Sequence, residues 1–245
     1  MAEWREQYVC RCESGFWDQG GATEVTVPKG MSVYWLDDPT DNSKLNRPEM
    51  DLKDKQAGHP EVYEGRFSAT GFFQNCTGVY WLVTDPIYVE NGRVVRGECR
   101  YMHVFHDSHG GARLGLVDGN GKFSGAYVRA PFERGAIEDP VVWGGWQGTY
   151  GEDALPQREW CKLLAPEIIP TVGHVRLVVQ FNADYPGFSA GHFDVFRVEQ
   201  YAEEGEPEPD PDPKPDPGDV LRVELSGTVR LESPSLMERV KALFR

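Results

Sequence analysis

The chain of 245 residues reads as an all-β head, residues 1–202, made of two packed antiparallel sheets and followed by a linker and a small tail. Three observations predict this. Short runs of β-branched and aromatic residues recur between Gly, Pro, Asn and Asp clusters, and no long stretch carries the 3.6-residue period of an amphipathic helix. In residues 174–181 the positions Val175, Leu177, Val179 and Phe181 are uniformly apolar, whereas His174, Arg176 and Gln180 fall on the other side. That alternation belongs to a strand with one core face and one wet face. Residues 203–219 alternate proline with acid, which buries no apolar side chain and sustains neither a helix nor a central strand.

In chain order, the expected strands begin with 8–12 and 24–27, the second stopped by Pro28 and Gly30. Residues 78–84 form an apolar aromatic run ended by Asp85-Pro86, and 87–89 resume it up to Asn91-Gly92. Next come 97–106, ending before the Gly110-Gly111 turn, then 113–117, 160–164, 174–181 and 191–201. Their number suits two sheets that each offer alternate residues to a shared core. Cys10 and Cys12 share one strand face in this reading. With Cys76, Cys99 and Cys161 they make an odd, scattered set, so buried thiols are expected in place of a disulfide framework or a zinc site.

The 203–219 segment is a spacer near polyproline II, about 3.1 Å per residue and roughly 50 Å when extended. It carries eight acids against one lysine, so −7 of the net −14 sits there; the tail has five basic and three acidic residues, which leaves the head at about −9. An acidic head argues against a nucleic-acid footprint and against anionic membranes. In the tail, residues 220–245, Leu221, Val223, Leu225, Val229 and Leu231 alternate with polar residues, the pattern of a strand pair turned near Gly227. From Ser235 a capping box and an apolar stripe of Leu236, Met237, Val240, Leu243 and Phe244 predict a helix. So short a unit buries too little to stand alone, and residues 220–245 are expected to self-associate or to dock on a scaffold protein.

Residues 1–7 show neither the basic nor the apolar region of a signal peptide, and no window is apolar enough for a membrane span. The expectation is a protein made in the cytoplasm and incorporated into a virion or another particle surface. No nucleophile elbow, phosphate loop, dinucleotide fingerprint or zinc-hydrolase motif occurs, so no enzymatic activity is expected. In Asn46-Arg47-Pro48-Glu49 an ion pair locking a loop is the expectation. His103, His106 and His109 have suggestive spacing, but on a strand positions 103 and 106 point to opposite faces, and the trio makes a poor metal site.

Several short motifs, Gly15-Phe16-Trp17-Asp18, residues 24–30, Tyr34-Trp35, Asn46-Arg47-Pro48-Glu49, Val141-Val142-Trp143 and Phe193-Asp194-Val195, lie in an order and spacing that resembles the jelly-roll carbohydrate-binding modules with a galactose-binding-like fold, of the type found in bacterial and phage proteins. The resemblance covers roughly residues 8–201. It implies a jelly-roll β-sandwich and a structural Ca2+ ion held where the first and last strands meet, with Asp18 and Asp194 matching the family's ligands. Calcium takes six to eight oxygens, which two carboxylates and backbone carbonyls supply.

A sugar presents flat C–H faces fringed by hydroxyls, so a binding surface needs exposed aromatic planes with amide or guanidinium groups around them. Tyr34, Trp35, Phe72, Phe73, Trp143 and Trp146 are the candidate planes because they sit beside glycines or turns, with Gln74 next to one pair. Arg176, Gln180 and His103 are the candidate polar contacts. The expected function is therefore non-catalytic binding of a polysaccharide or surface glycan by a head displayed on a stalk. A purely structural or decoration protein of a multimeric particle is the alternative.

Overall fold

The computed structural model describes residues 3–18, 26–35, 49–58, 61–104, 110–119, 123–124, 136–137, 140–148, 158–202, 222–223 and 229–230. The chain divides into two compact units, Met1–Glu203 and Glu204–Arg245. The strands of the first are β1 (Glu3–Cys10), β2 (Phe16–Asp18), β3 (Thr26–Pro28), β4 (Met31–Trp35), β5 (Glu49–Asp54), β6 (Phe67–Thr84), β7 (Ile87–Tyr88), β8 (Val95–His103), β9 (Gly110–Asp118), β10 (Phe123–Ser124), β11 (Ala136–Ile137), β12 (Val142–Trp143), β13 (Gln147–Gly148), β14 (Trp160–Ile168) and β15 (His174–Ala202). One short 3-10 turn, Lys55–Ala57, interrupts them, capped by the Asp54 carboxylate accepting from the Gln56 N–H at 2.8 Å.

The fold is the all-β sandwich expected, and two long strands make it. β6 and β15 form an antiparallel ladder running from Val178 opposite Val83 to Phe193 opposite Ala69, with register shifts between Ala183 and Gly187 and again at Phe188. On one side of the shifts, β9 and β4 extend the ladder in the order β12-β9-β15-β6-β4, which is the first sheet. On the other side, β5, β8, β14 and β1 join the same two strands and make the second sheet. The ribbon folds over at the shifts, because Phe73 from the first half of β6 stacks at 5.8 Å on Tyr80 from its second half.

One core fills the space between the sheets. Leu114 and Leu116 of β9, Leu177, Val179 and Phe181 of β15, and Leu82 of β6 face Leu163 of β14, Val95 and Tyr101 of β8, and Phe193. Every one of them is at most 1% exposed. Near the centre Phe181 touches Tyr80, Phe73 and Phe193, at centroid separations of 5.3, 5.8 and 6.0 Å. Cys10, Cys12 and Cys99 are buried free thiols, as the scattered spacing led one to expect, and Cys161 is half-buried.

Tertiary pairing also changed the element list. The expected strands 174–181 and 191–201 are one strand, since the intervening residues stay paired with β6 through the bend. β6 likewise starts eleven residues earlier than the expected 78, at Phe67. β4 and β5 were not expected, and each gains its backbone partners from β6.

In the second unit, β16 (Arg222–Val223) and β17 (Val229–Arg230) pair antiparallel, with Val223 opposite Val229 and Arg222 opposite Arg230. The pairing lies on either side of Gly227, where a turn was expected. The helix expected from Ser235 onward lies outside the described residues, as do His106, His109 and residues 46–48 of the Asn-Arg-Pro-Glu motif. Among the described residues no helix is long and apolar enough to cross a membrane.

Candidate functional site

Antiparallel partners point to the same side of a sheet, so the ladders state which side chains share the outer face of the first sheet. Gln180 stands opposite Trp81 on β6 and Arg113 on β9, and Trp81 stands opposite Tyr34 on β4. Two residues along β15, Val178 is opposite Val83 and Gly115, and Gly115 is opposite Trp143 on β12. Five strands thus bring Tyr34, Trp81, Gln180, Arg113 and Trp143 onto one surface. The aromatic rings roof over a second apolar cluster of Val83, Val117 and Val178.

Two glycines let Trp143 and Trp146 reach this face. A Cβ on Gly115 would lie 2.8 Å from Trp143 Cε3, so only a residue without one lets the indole lie flat against β9. A Cβ on Gly144 would run into the Leu164 carbonyl oxygen and sit 3.2 Å from that of Leu114; the bare residue donates its N–H to Leu114 at 2.8 Å. The Val-Val-Trp-Gly-Gly-Trp segment is thereby held close to β9. Its two indoles converge on one cation, with the Arg113 guanidinium carbon 4.2 Å from the Trp143 ring centroid and 4.7 Å from that of Trp146.

Polar groups extend from this centre along β15. Arg113 Nε and Nη2 both donate to Gln180 Oε1, at 3.1 and 2.8 Å, and Gln180 Nε2 donates to Asn182 Oδ1 at 3.1 Å. Farther along, Arg176 Nη1 donates to the Thr84 carbonyl at 3.3 Å. Burial pushes the Tyr34 phenol above its ordinary pKa, and the positive charge of Arg176 pulls the other way.

Of the residues singled out from the sequence, Tyr34, Trp143, Trp146, Arg176 and Gln180 come together here. Others do not. Phe73 is 1% exposed in the aromatic core, and His103 is completely buried with its Nδ1 3.0 Å from the Tyr101 hydroxyl, so neither can meet a ligand at the surface. Phe72 is half-buried on the outer face of the second sheet, against Met102, Val104 and Ala190. Trp160 is a half-buried neighbour of that group, edge-on to Tyr63 at 5.5 Å. The side chains of Trp35 and Gln74 lie outside the described residues. Arg113, Trp81 and Asn182 were missed as site residues. Alternation with Leu114 and Leu116 already marks Arg113 as a wet-face position, but nothing local pairs it with Gln180.

Asp194, the described half of the pair matched to a calcium site, is held by backbone donors. Its Oδ2 accepts from the N–H groups of Tyr63 and Glu64 at 3.1 and 3.0 Å, and its Oδ1 from the Val195 N–H at 2.7 Å. Three backbone donors are thus aimed at the two oxygens. β15 carries one extra residue between Asp194 and Arg197 relative to β8, and at that bulge Val195 takes a φ of 47°. Burial pushes the Asp194 carboxyl up to about 7, against the three N–H groups that pull it down. The Asp18 side chain lies outside the described residues, and among those described no group of three or more His, Cys, Asp or Glu side chains is placed to hold a metal. The calcium role that the family resemblance implied for Asp18 and Asp194 would have to share the Asp194 carboxyl group with these three backbone donors.

No protein-family model matches the chain, and no curated protein sequence does. Solved structures similar to it include TmCBM61, a carbohydrate-binding module in complex with β-1,4-galactotriose, at 13% identity and TM-score 0.39 over 69% of this chain and 88% of that one. The CBM22-1 xylan-binding domain from Paenibacillus barcinonensis Xyn10C is similar at 11% identity and TM-score 0.40, over 80% and 94%. The enzymatically active domain of tailspike protein 4 from bacteriophage CBA120 matches at 10% identity and TM-score 0.40, over 70% of this chain and 19% of that one. The first two are carbohydrate-binding modules, the class whose motifs the sequence resembles.

Proposed function

We propose that the 1–203 unit is a non-catalytic carbohydrate-binding module whose binding surface is the outer face of the first sheet. The observation that carries this reading is the convergence of Trp143, Trp146 and Arg113, flanked by the amides of Gln180 and Asn182. Aromatic planes supply area for the C–H faces of a sugar, and amide and guanidinium N–H groups supply hydrogen bonds for its oxygens. Glycoside hydrolysis needs two carboxyl groups across the scissile bond, and among the described residues the ladders place none on this face.

Affinity electrophoresis against a panel of soluble polysaccharides tests the assignment. Trp143→Ala and Trp146→Ala are each expected to weaken binding by about 1–2 kcal/mol, since a shallow site depends on few ring contacts. Trp4→Ala is the control. Trp4 also lies under an arginine, with Arg96 at 3.9 Å, but on β1 at the far end of β15. Binding that survives both site variants, or that disappears with Trp4, overturns the assignment.

Display on a virion or other particle through residues 220–245 extends this reading, the sequence pattern of the tail being its support. Light scattering on the full chain and on a version ending at Glu204 is expected to show oligomers only for the full chain. A monomeric full chain would exclude self-assembly.

A further inference from the structure

Arg113 is in an unusual position for a cation in a chain of net charge −14. Several cations elsewhere find carboxylates: Arg66 reaches Asp54 at 2.7 Å, Arg96 reaches Glu199 at 2.7 Å, and Lys162 reaches Glu98 at 2.6 Å. Arg113 has no carboxylate partner among the described residues. It lies against two indoles and spends two N–H groups on one amide oxygen, Gln180 Oε1. A guanidinium has five N–H donors, so three are left over among the described residues. Desolvation lowers the Arg113 pKa below its ordinary value, as befits a cation that has lost water without gaining a counter-charge, whereas hydrogen bonding to Asp54 raises that of Arg66.

The neighbouring amides inherit their orientation from this arginine. Arginine cannot accept a hydrogen bond, so the atom of Gln180 that faces it must be the oxygen. The Gln180 amide nitrogen is then the donor to Asn182, which directs the Asn182 oxygen at Gln180 and leaves its NH2 group for other partners. Gln180 itself is buried, so its amide holds Arg113 and Asn182 in place, and what those two have left over is N–H. With Arg176 on the same strand face, the described surface is a donor-rich, positively charged strip, and the charge of Asp85, beyond the end of β6, is felt at Tyr34. Neutral sugar hydroxyls call for both donors and acceptors. A surface with more donors than acceptors matches an anion.

We infer that the ligand is an acidic glycan, a polymer containing hexuronate, whose carboxylate takes the open N–H groups of Arg113 while its ring lies on Trp143 and Trp146. The inference rests on the carbohydrate-binding reading and deepens it. Guanidinium and carboxylate match in planar, two-pronged geometry, and the indoles keep water from one side of the pair. The protein's overall negative charge does not prevent this, because at about 0.15 M salt charges more than roughly 8 Å away are screened.

The test is calorimetric titration of the full chain with polygalacturonate, alginate and glucuronoxylan fragments, each beside the same fragments with their carboxyl groups reduced to alcohols. At least one acidic polymer is expected to bind about tenfold or more tighter than its reduced form, the range of a charge-assisted hydrogen bond. Arg113→Met is expected to erase that difference, and Arg113→Lys, which keeps the charge but not the fork, to restore part of it. Equal or tighter binding of the reduced polymers by the unaltered protein would overturn the inference and leave the carbohydrate-binding reading standing. Binding to neither form of any polymer would overturn both. A preference for the acid that persists in Arg113→Met, or equal affinity for dextran sulfate, would remove Arg113 and the carboxylate from the explanation.

Discussion

Replacing Phe181 with alanine is expected to lower the free energy of unfolding by about 3–5 kcal/mol, the largest loss from any single change considered for this protein. Phe181 is fully buried and sits where the folded-over ribbon meets itself. Its ring touches Tyr80 and Phe73 on β6, and Phe193 farther along its own strand, so removing it leaves a void with rigid rings on several sides. Rings locked by their own neighbours relax little into such a space, and the cavity cost adds to the lost transfer energy. The next residue along the strand in either direction is Gln180 or Asn182, so glycan binding should weaken as well. Leu164→Ala is the comparison: Leu164 is 58% exposed on β14, and its loss should stay within about 0.5 kcal/mol. Urea denaturation of the three proteins decides the matter. A Phe181→Ala loss no larger than that of Leu164→Ala would mean that the aromatic cluster is not the centre of stability.

Asp194→Ala is expected to cost about 2–3 kcal/mol and to release residues 61–66 from the second sheet. The carboxylate is the acceptor for the backbone N–H groups of Tyr63 and Glu64, and it holds Tyr63 against Trp160 and under the Arg100 guanidinium, which lies 4.6 Å from its ring. Amide donors left without an acceptor account for the cost. Hydrogen exchange should show faster exchange at Tyr63 and Glu64 in the variant; unchanged protection would dissociate Asp194 from this loop. A pH dependence follows with a definite sign. The folded-state pKa of about 7 lies above the ordinary value of about 3.9, so the protonated acid is the form the fold favours. Stability from this group is complete below about pH 4 and is lost as pH rises through 7. The melting temperature of the unaltered protein is expected to fall between pH 5 and pH 8, and that slope should flatten in Asp194→Asn. Because the Asp194 oxygens face N–H donors, adding a chelator should leave the melting curve in place.

Much of the architecture is legible in local chemistry. The alternation through 174–181 named the core face of that strand correctly, because a side chain's face depends only on parity while the strand is regular, but Gln180 on the other face is covered by its neighbours and buried. The same logic failed at Phe72 and Phe73. From 79 to 83 the odd residues of β6 point outward, but the register shifts near Gly78 and Gly187 change the parity, so at 72 and 73 it is the even residue that faces out. Phe73 and Tyr80 therefore both enter the core. No pattern read along one strand reveals a shift that is defined by its partner. His103 went to the core for a related reason: its polar ring is satisfied by Tyr101, two residues back on the same strand, and a satisfied histidine is tolerated in a core.

The sequence by itself determined an all-β head, the strand alternation, the proline-acid segment after it and the strand pairing around Gly227, since each depends on residues within a few positions of one another. Only the tertiary structure decided which wet-face residues meet. Arg113 and Gln180 are 67 positions apart, and the contact that makes the site exists because β9 and β15 pair in one register. A slip of one residue would turn every side chain to the other face. That register is set by packing Leu114, Leu116, Leu177 and Phe181 into a common core, a condition on the whole sandwich that no single stretch of sequence contains.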